Sequence, residues 1–502
     1  MGPAVIVRNI AANAVGMVVT VAVQAALMIA AYRLAGPEQY GLIGVFGALL
    51  TAAAILDVGL GQTVVREMAR RRTPDESRGQ GAMLYTLQGL YIAIIAVLTI
   101  GLIAAAPVMA RYWLRPGHLS VAEVQTALAL MGVAIGIQRL RGLYQSTLDG
   151  LERQVLSNGL AIAANLLRLA VGLGALIWIA PTATAYFAGQ ILASLVETAL
   201  FAIMAWRSLP PAYLAPRRFD RSVLHHATAF ASANAAASAL GTLVQVGDGL
   251  IISAVAPLSV FGGYALVSQL CAMMLRLATP LLIAVLPRLS LYVQEARDGA
   301  VAALFFPVSR GVVGLLASAA GVLIAFGVPI LLLLTGQAAV AQTLAPVLAV
   351  LAAAYALTGM ARPLHGLQLA EGDPATALRI NFVVALTYLP LAALLTPRFG
   401  IATPATLLLV ANALALPVFI ARSFLGSLRG QAPIWLAKSL AWPVLAAGTV
   451  CILARWATPP HTSMALQILV AVAAGGVGLA VSQAPPRRHR ALRTQERGRG
   501  LR

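Results

Sequence analysis

Ala12–Gln24 reads ANAVGMVVTVAVQ, and Ala233–Gln245, 221 positions later, reads ANAAASALGTLVQ. Both open on Ala-Asn-Ala and close on Val-Gln, so Asn13 pairs with Asn234 and Gln24 with Gln245. Alanines match cheaply in a chain this rich in alanine, whereas amides are uncommon inside apolar segments. In each copy the two amides are eleven residues apart. At roughly 100° per residue they return almost to one helix face, about 16 Å apart along the axis. An amide stripe facing lipid is costly, so it is expected to face protein or a wet cavity. The two segments therefore read as equivalent helices of two halves, facing each other across a cavity. The blander reading is that the amides glue helices together, an effect worth about 0.6–2 kcal/mol per contact.

The surrounding chain fits a membrane setting. Of its 502 residues 60% are hydrophobic and only 10% charged, and apolar stretches of about twenty residues, the length that spans a bilayer, recur from end to end. No segment between them is long enough for a soluble domain. The first stretch is longer than a signal peptide's apolar core and lacks a basic start, so it is expected to persist as a helix. Cys271 and Cys451 both fall in expected spans, which argues against a disulfide framework or a metal site. The six histidines are scattered without partners at metal-ligand spacing, and no P-loop is present. Composition thus speaks against a soluble enzyme and against direct use of ATP.

Fourteen spans are expected, at 9–34, 40–64, 81–108, 123–146, 155–180, 184–206, 223–254, 258–286, 302–336, 340–370, 378–396, 401–422, 435–456 and 464–483. The net charge of +19 invites a nucleic-acid reading, but its placement does not. With the N-terminus in the cytoplasm, 24 basic residues fall on cytoplasmic loops and ends, and only Arg33, Arg111, Arg115, Arg398 and Arg455 fall outside. That asymmetry is the positive-inside rule, and it places both termini in the cytoplasm.

The halves share further landmarks. Gly36-Pro37 after the first span stands where Ala256-Pro257 stands after the seventh, and Arg66 matches Arg288. Asp149-Gly150 matches Glu371-Gly372 at an offset of 222. Six spans in each half make the repeats parallel. The expected organisation is a six-helix lobe over 1–207, a cytoplasmic linker over 208–222 and a second six-helix lobe over 223–422. Extra helices 13 and 14 follow over 423–485, and a basic cytoplasmic tail over 486–502.

Charges inside the bilayer cost at least about 2.5–3.5 kcal/mol each at its centre, so each is a functional candidate. Arg168 and Arg276 lie deepest and read as cavity lining, with an Arg168–Glu197 ion pair as the structural alternative. Arg139 and Arg141 lie nearer the inner boundary, and at least one of them is expected to face protein. Asp248 continues the second stripe, since Asn234, Ser238, Gly241, Gln245 and Asp248 follow one helical face. A carboxylate there suits H⁺ or Na⁺ coupling, with Glu197 and Asp57 as further candidates; Asp57 reads equally as a cap or a partner of Arg66 or Arg70. Six in-span arginines against three acids favour an anionic substrate.

The Asn-bearing first helix, GPEQYG at Gly36–Gly41, LDVGLGQTVVREMAR from Leu56, and QSTLDGLER from Gln145 together resemble the bacterial polysaccharide (O-antigen type) flippases. That family belongs to the multidrug/oligosaccharidyl-lipid/polysaccharide (MOP) exporter superfamily. The resemblance implies an all-α polytopic membrane protein of about fourteen helices. It implies two six-helix lobes in a V like that of the MATE exporters, with the first and seventh helices facing a central cavity. It also implies a polyprenyl-pyrophosphate-linked oligosaccharide moved from the cytoplasmic to the periplasmic leaflet of the inner membrane. Arg168, Arg276, Arg139 and Arg141 suit a pyrophosphate, which guanidinium recognises in bidentate fashion, and Asn13, Gln24, Asn234 and Gln245 suit its sugars. No cofactor is implied; glycosyltransferases and a glycan polymerase of the same pathway are the partners to expect. A lipid II flippase and a cation-coupled multidrug exporter are the alternative readings. A glycan polymerase or ligase would carry a large periplasmic loop, and no outer segment here exceeds about fourteen residues.

Overall fold

The computed structural model describes residues 3–54, 61, 64–65, 68–69, 74–209, 239–373, 375–459 and 462–484, with backbone alone given for 3–15, 18, 74–83 and 283–284. Among the described residues all regular structure is helical. In chain order the helices are α1 Pro3–Ala53, α2 Pro74–Val108, α3 Val121–Gly150, α4 Gln154–Gly174 and α5 Ala183–Ser208. After them come α6 Ala239–Val255, α7 Leu258–Leu277, α8 Thr279–Gln294, α9 Asp298–Ala325, α10 Gly327–Thr335 and α11 Ala338–Ala370. The last four are α12 Ala375–Phe399, α13 Ala402–Ser423, α14 Ala432–Trp456 and α15 Met464–Gln483. Among the described residues, twelve helices are long and apolar enough to cross a membrane. Counting the two arms of α1 separately and adding the short apolar α6 recovers the fourteen expected spans.

The arms of α1 meet at Gly36, whose φ of 84° and ψ of 170° break the helix. Glycine adopts that conformation without steric cost, and the following Pro37 removes the N–H that would continue the ladder. Proline also divides two of the expected spans. Helix α7 gives way to α8 two residues before Pro280, and α9 to α10 three residues before Pro329. Pro346, Pro390 and Pro417 are instead carried inside continuous helices.

The described chain forms two compact units, Met1–Gln269 with Leu378–Pro404 and Leu270–Ala377 with Ala405–Arg502. This division differs from the halves marked by the repeat, because α6, the start of α7 and most of α12 belong to the first unit. Within that unit, α3 lies close on α2 through Gly132 and Gly136; a Cβ at Gly132 would stand 3.0 Å from that of Leu102. Small residues at helix crossings permit this approach, which in lipid depends on packing rather than on the hydrophobic effect. A second close approach joins α1 to α7. A Cβ at Gly41 would meet the Leu258 carbonyl, and one at Gly262 would meet the Pro37 carbonyl. Between them a Cβ at Gly44 would stand 2.5 Å from the Ala265 Cβ. These pairs obey the same 221-residue offset as the stripes: Gly41 corresponds to Gly262, Gly44 to Ala265, and Pro37 to Leu258, one residue beyond the Pro257 that it matches by residue type. The contact is therefore reciprocal about a local two-fold axis near Gly44.

The turn after Gly36 fastens neighbouring loops. Glu38 Oε1 accepts from the backbone N–H groups of Gly117 at 2.6 Å and His118 at 3.1 Å, and Gln39 Oε1 accepts from Ala183 N at 2.8 Å. The same loop is held from its other side, where Trp113 Nε1 donates to Ser253 Oγ and Leu258 N to the Arg115 carbonyl. The charge-assisted bonds to Glu38 contribute about 1.5–3 kcal/mol each. Glu38→Ala is accordingly expected to raise amide exchange at 117–119, the N–H groups bonded to Glu38, by about tenfold or more while leaving α3 protected. Unchanged exchange across that loop would show that the carboxylate does not hold it.

One repeat landmark moves by two residues. Helix α3 ends with Leu151 N donating to the Thr147 carbonyl, Glu152 N to Asp149 and Arg153 N to Leu148. Helix α11 ends identically, Glu371 N donating to Leu367, Gly372 N to Leu369 and Asp373 N to Gln368. The left-handed residues are Glu152 and Gly372, with φ of 60° and 81°. Gly372 thus corresponds to Glu152 at an offset of 220, not to Gly150. Gly150 is needed inside α3 for another reason, since a Cβ there would strike Val65 and Met68.

In the second unit the extra helices dock on α9. Gly314 faces Ser482, Gly321 faces Cys451, and Trp435 Nε1 donates to Ser309 Oγ at 2.8 Å. Both cysteines, Cys271 and Cys451, are buried.

Candidate functional site

The described charges gather most densely in the first unit, where α3, α4 and α5 meet. Helix α3 is started by a capping box, Ser120 Oγ accepting from Glu123 N while the Glu123 carboxylate accepts from Ser120 N. Thr182 caps α5 in the simpler way. Glu197 then falls about 21 Å along α5 from Ala183, and Arg168 about 21 Å along α4 from Gln154. Glycine brings α4 and α5 together beside them. A Cβ at Gly189 would stand 3.2 Å from the Val171 carbonyl, and one at Gly172 would stand 3.1 Å from Gln190 Nε2.

At this crossing Glu197 is shared by two guanidinium groups. Arg168 donates to Glu197 Oε2 through Nε at 2.9 Å and through Nη2 at 2.5 Å, and Arg141 Nη1 donates to Oε1. The Arg141 guanidinium also lies over the Phe201 ring, 5.5 Å from its centroid. Glu197 is 1% exposed, whereas the Arg141 and Arg168 side chains keep 27% and 19% exposure. The carboxylate is therefore the floor of the cluster, and the cations are its reachable part. Two cations on one anion leave it a net positive charge.

Polar groups with unmet hydrogen-bonding capacity surround the cluster. Arg141 Nε, Gln138 Nε2, Gln190 Nε2 and Ser194 Oγ are buried without a partner. Gln190, Ser194 and Glu197 lie four and then three residues apart on α5, which puts them on one face. That spacing is legible in the sequence, and reading Glu197 alone misses it. The first amide stripe approaches the same region. Asn165, one turn before Arg168, donates from Nδ2 to Thr20 Oγ1 at 3.1 Å, and Thr20 lies on the helix face between Asn13 and Gln24.

The remaining candidates are dispersed. Arg139 is half-buried, and two helical steps turn it about 200° from Arg141. Gln24 is half-buried and Gln245 exposed. Asp248 is 2% exposed, with Oδ2 accepting from Tyr264 OH at 2.6 Å and Oδ1 from Gly249 N at 2.7 Å. Gln245 and Asp248, three steps apart on α6, thus differ in exposure, Asp248 lying beneath Tyr264. The Asn13 side chain, Asp57 and Asn234 lie outside the described residues. In the second unit, Arg276 is half-buried near Tyr355, and Arg362 Nη1 donates to Thr279 Oγ1 at 3.4 Å beside the break between α7 and α8.

Comparison with known proteins agrees with this architecture. The structure resembles a lipid II flippase, MurJ, in an inward closed conformation, with a TM-score of 0.70 and 11% identity over 95% of this chain and 98% of the other. It resembles an inward-facing multidrug resistance MATE family transporter of the MOP superfamily, with a TM-score of 0.65 and 11% identity over 80% and 94% of the two chains. A MOP superfamily transporter from Pyrococcus furiosus matches with a TM-score of 0.60 and 14% identity over 84% and 95%. No curated protein matches by sequence. At these identities the likeness shows a common fold, the fold of the MOP transporters. Residues 6–293, more than half the chain, match the polysaccharide biosynthesis protein family, and with the fold in agreement the chain belongs to that family of multi-pass membrane proteins.

Proposed function

We propose that the protein is a flippase that carries a polyprenyl-pyrophosphate-linked oligosaccharide from the cytoplasmic to the periplasmic leaflet, by alternating access, for surface polysaccharide biosynthesis. The observation that carries this reading is the pair of partly exposed guanidinium groups, Arg141 and Arg168, converging on one site of net positive charge. Guanidinium matches phosphate oxygens in both charge and fork geometry. An excess of basic residues at mid-membrane favours an anionic headgroup over the cationic compounds of multidrug export. Both termini cytoplasmic, as the distribution of arginine favours, would set the cationic face of the protein toward the leaflet where such lipids are assembled. A lipid II flippase is the runner-up, supported by the likeness of fold and by the same diphosphate chemistry.

Deletion of the gene separates these readings. The expected result is loss of surface polysaccharide with build-up of its lipid-linked precursor, while peptidoglycan synthesis continues. Normal surface polysaccharide in the deletion strain would refute the proposal, and arrest of peptidoglycan synthesis would favour the runner-up.

A further inference from the structure

Arg168 spends its fork on a protein group. Its Nε and Nη2, the edge that grips an oxyanion in bidentate fashion, both bond the single oxygen Glu197 Oε2. Arg141 is likewise committed to Oε1. An incoming diphosphate therefore meets the Arg168 fork, and one donor of Arg141, already taken by a carboxylate. That carboxylate lies at 1% exposure beneath them and reaches solvent on no side. We infer that Glu197 is an internal competitor for the substrate's diphosphate: it holds Arg141 and Arg168 in place when the site is empty, yields their donors when the headgroup binds, and reclaims them to expel it.

Three features of the site support an exchange of partners over a permanent structural pair. Both arginine side chains keep solvent exposure, 27% and 19%, while Glu197 keeps 1%, so a ligand meets the cations before the carboxylate. Arg141 Nε is buried and unpartnered, a donor in reserve on one of the two cations. The amide of Gln138 and the hydroxyl of Ser194, also buried and unpartnered, are neutral groups able to solvate a carboxylate that has lost a cation. The physical logic is that of a lever. A cationic site built for affinity alone would hold a doubly charged lipid too tightly to release it, and a fixed anion behind the cations weakens every bound state by the same competition. This inference rests on the flippase reading above and adds how that site lets go.

The sign of one substitution tests it. Glu197→Gln is isosteric and removes the competing charge, so the purified full-length chain is expected to bind geranylgeranyl diphosphate at least about tenfold more tightly than the wild type, about 1.4 kcal/mol. Turnover in cells is expected to fall, because release slows. A residue that only positioned the arginines would give the opposite result, with weaker binding in the glutamine variant. Glu197→Asp keeps the charge but withdraws it by one methylene; it is expected to bind more tightly than wild type and less tightly than Glu197→Gln, and it carries the test alone should the glutamine variant not fold. Arg141→Ala and Arg168→Ala are measured beside them, with geranylgeraniol as the uncharged control. Weaker or equal binding in the Glu197 variants, with binding lost in the arginine variants, overturns the exchange and leaves the arginine site standing. Wild-type binding of the diphosphate by both arginine variants overturns the arginine site itself.

Discussion

Arg168→Ala is expected to reduce export of the lipid-linked glycan by about 10–150-fold, the range that corresponds to losing a charge-assisted contact of about 1.5–3 kcal/mol. The substitution removes the cation that makes two bonds to Glu197 and leaves that buried carboxylate with Arg141 alone. Breaking a buried ion pair outright costs about 3–5 kcal/mol. Because Arg141 remains, the loss of stability should be smaller, and the protein should still reach the membrane. Arg168→Lys separates charge from geometry: it keeps the cation and loses the planar fork. If the fork is what matters, the lysine variant will resemble alanine in export and wild type in abundance. Arg276→Ala, in the second unit, is expected to lower export in the same way. Surface glycan is measured against protein level in each strain. Full export from both alanine variants would remove arginine from the account of substrate binding.

The fold was legible in the sequence, and the reason is physical. A bilayer leaves the backbone almost no choice but helix, so apolar length sets the number of spans and basic loops set their order. What the sequence hid was local. Asp149-Gly150 and Glu371-Gly372 look like one landmark because both pair an acid with a glycine. The turn that repeats is set by backbone hydrogen bonds, and these align Glu152 with Gly372. At the candidate site Arg168 and Glu197 were visible as charges too deep to reach a surface. That Arg141 also reaches Glu197 depends on the long reach of an arginine side chain and on the glycine crossings that set helix separation, which spacing along one helix does not encode. Asp248 shows the converse: periodicity puts it at a polar step of its helix, and its burial depends on Tyr264, sixteen residues away, which no periodicity encodes.

The reciprocal glycines make the second large prediction. Replacing glycine by alanine inside a helix normally stabilises by roughly 0.5–1 kcal/mol, because the unfolded chain loses freedom and the helix gains a better former. Gly101 on α2, with nothing near its missing Cβ, should behave that way. Gly262→Ala should do the reverse, because the new methyl meets a backbone carbonyl, which no rotamer change can move. Overpacking of this kind typically costs about 1–3 kcal/mol, so the net swing against the Gly101 control is expected to be roughly 1.5–4 kcal/mol. Gly41→Ala should cost a similar amount, since the two positions are related by the local axis. The decisive measurement is the double variant. Once either methyl has pushed α1 from α7 the other fits in the space opened, so the two losses should sum to more than the double variant shows. Thermal unfolding of the four proteins in one detergent gives the cycle directly. Strict additivity would mean that the two close approaches relax independently, and stabilisation by either single alanine would mean that α1 and α7 do not meet as closely at Gly41 and Gly262 as the structure places them.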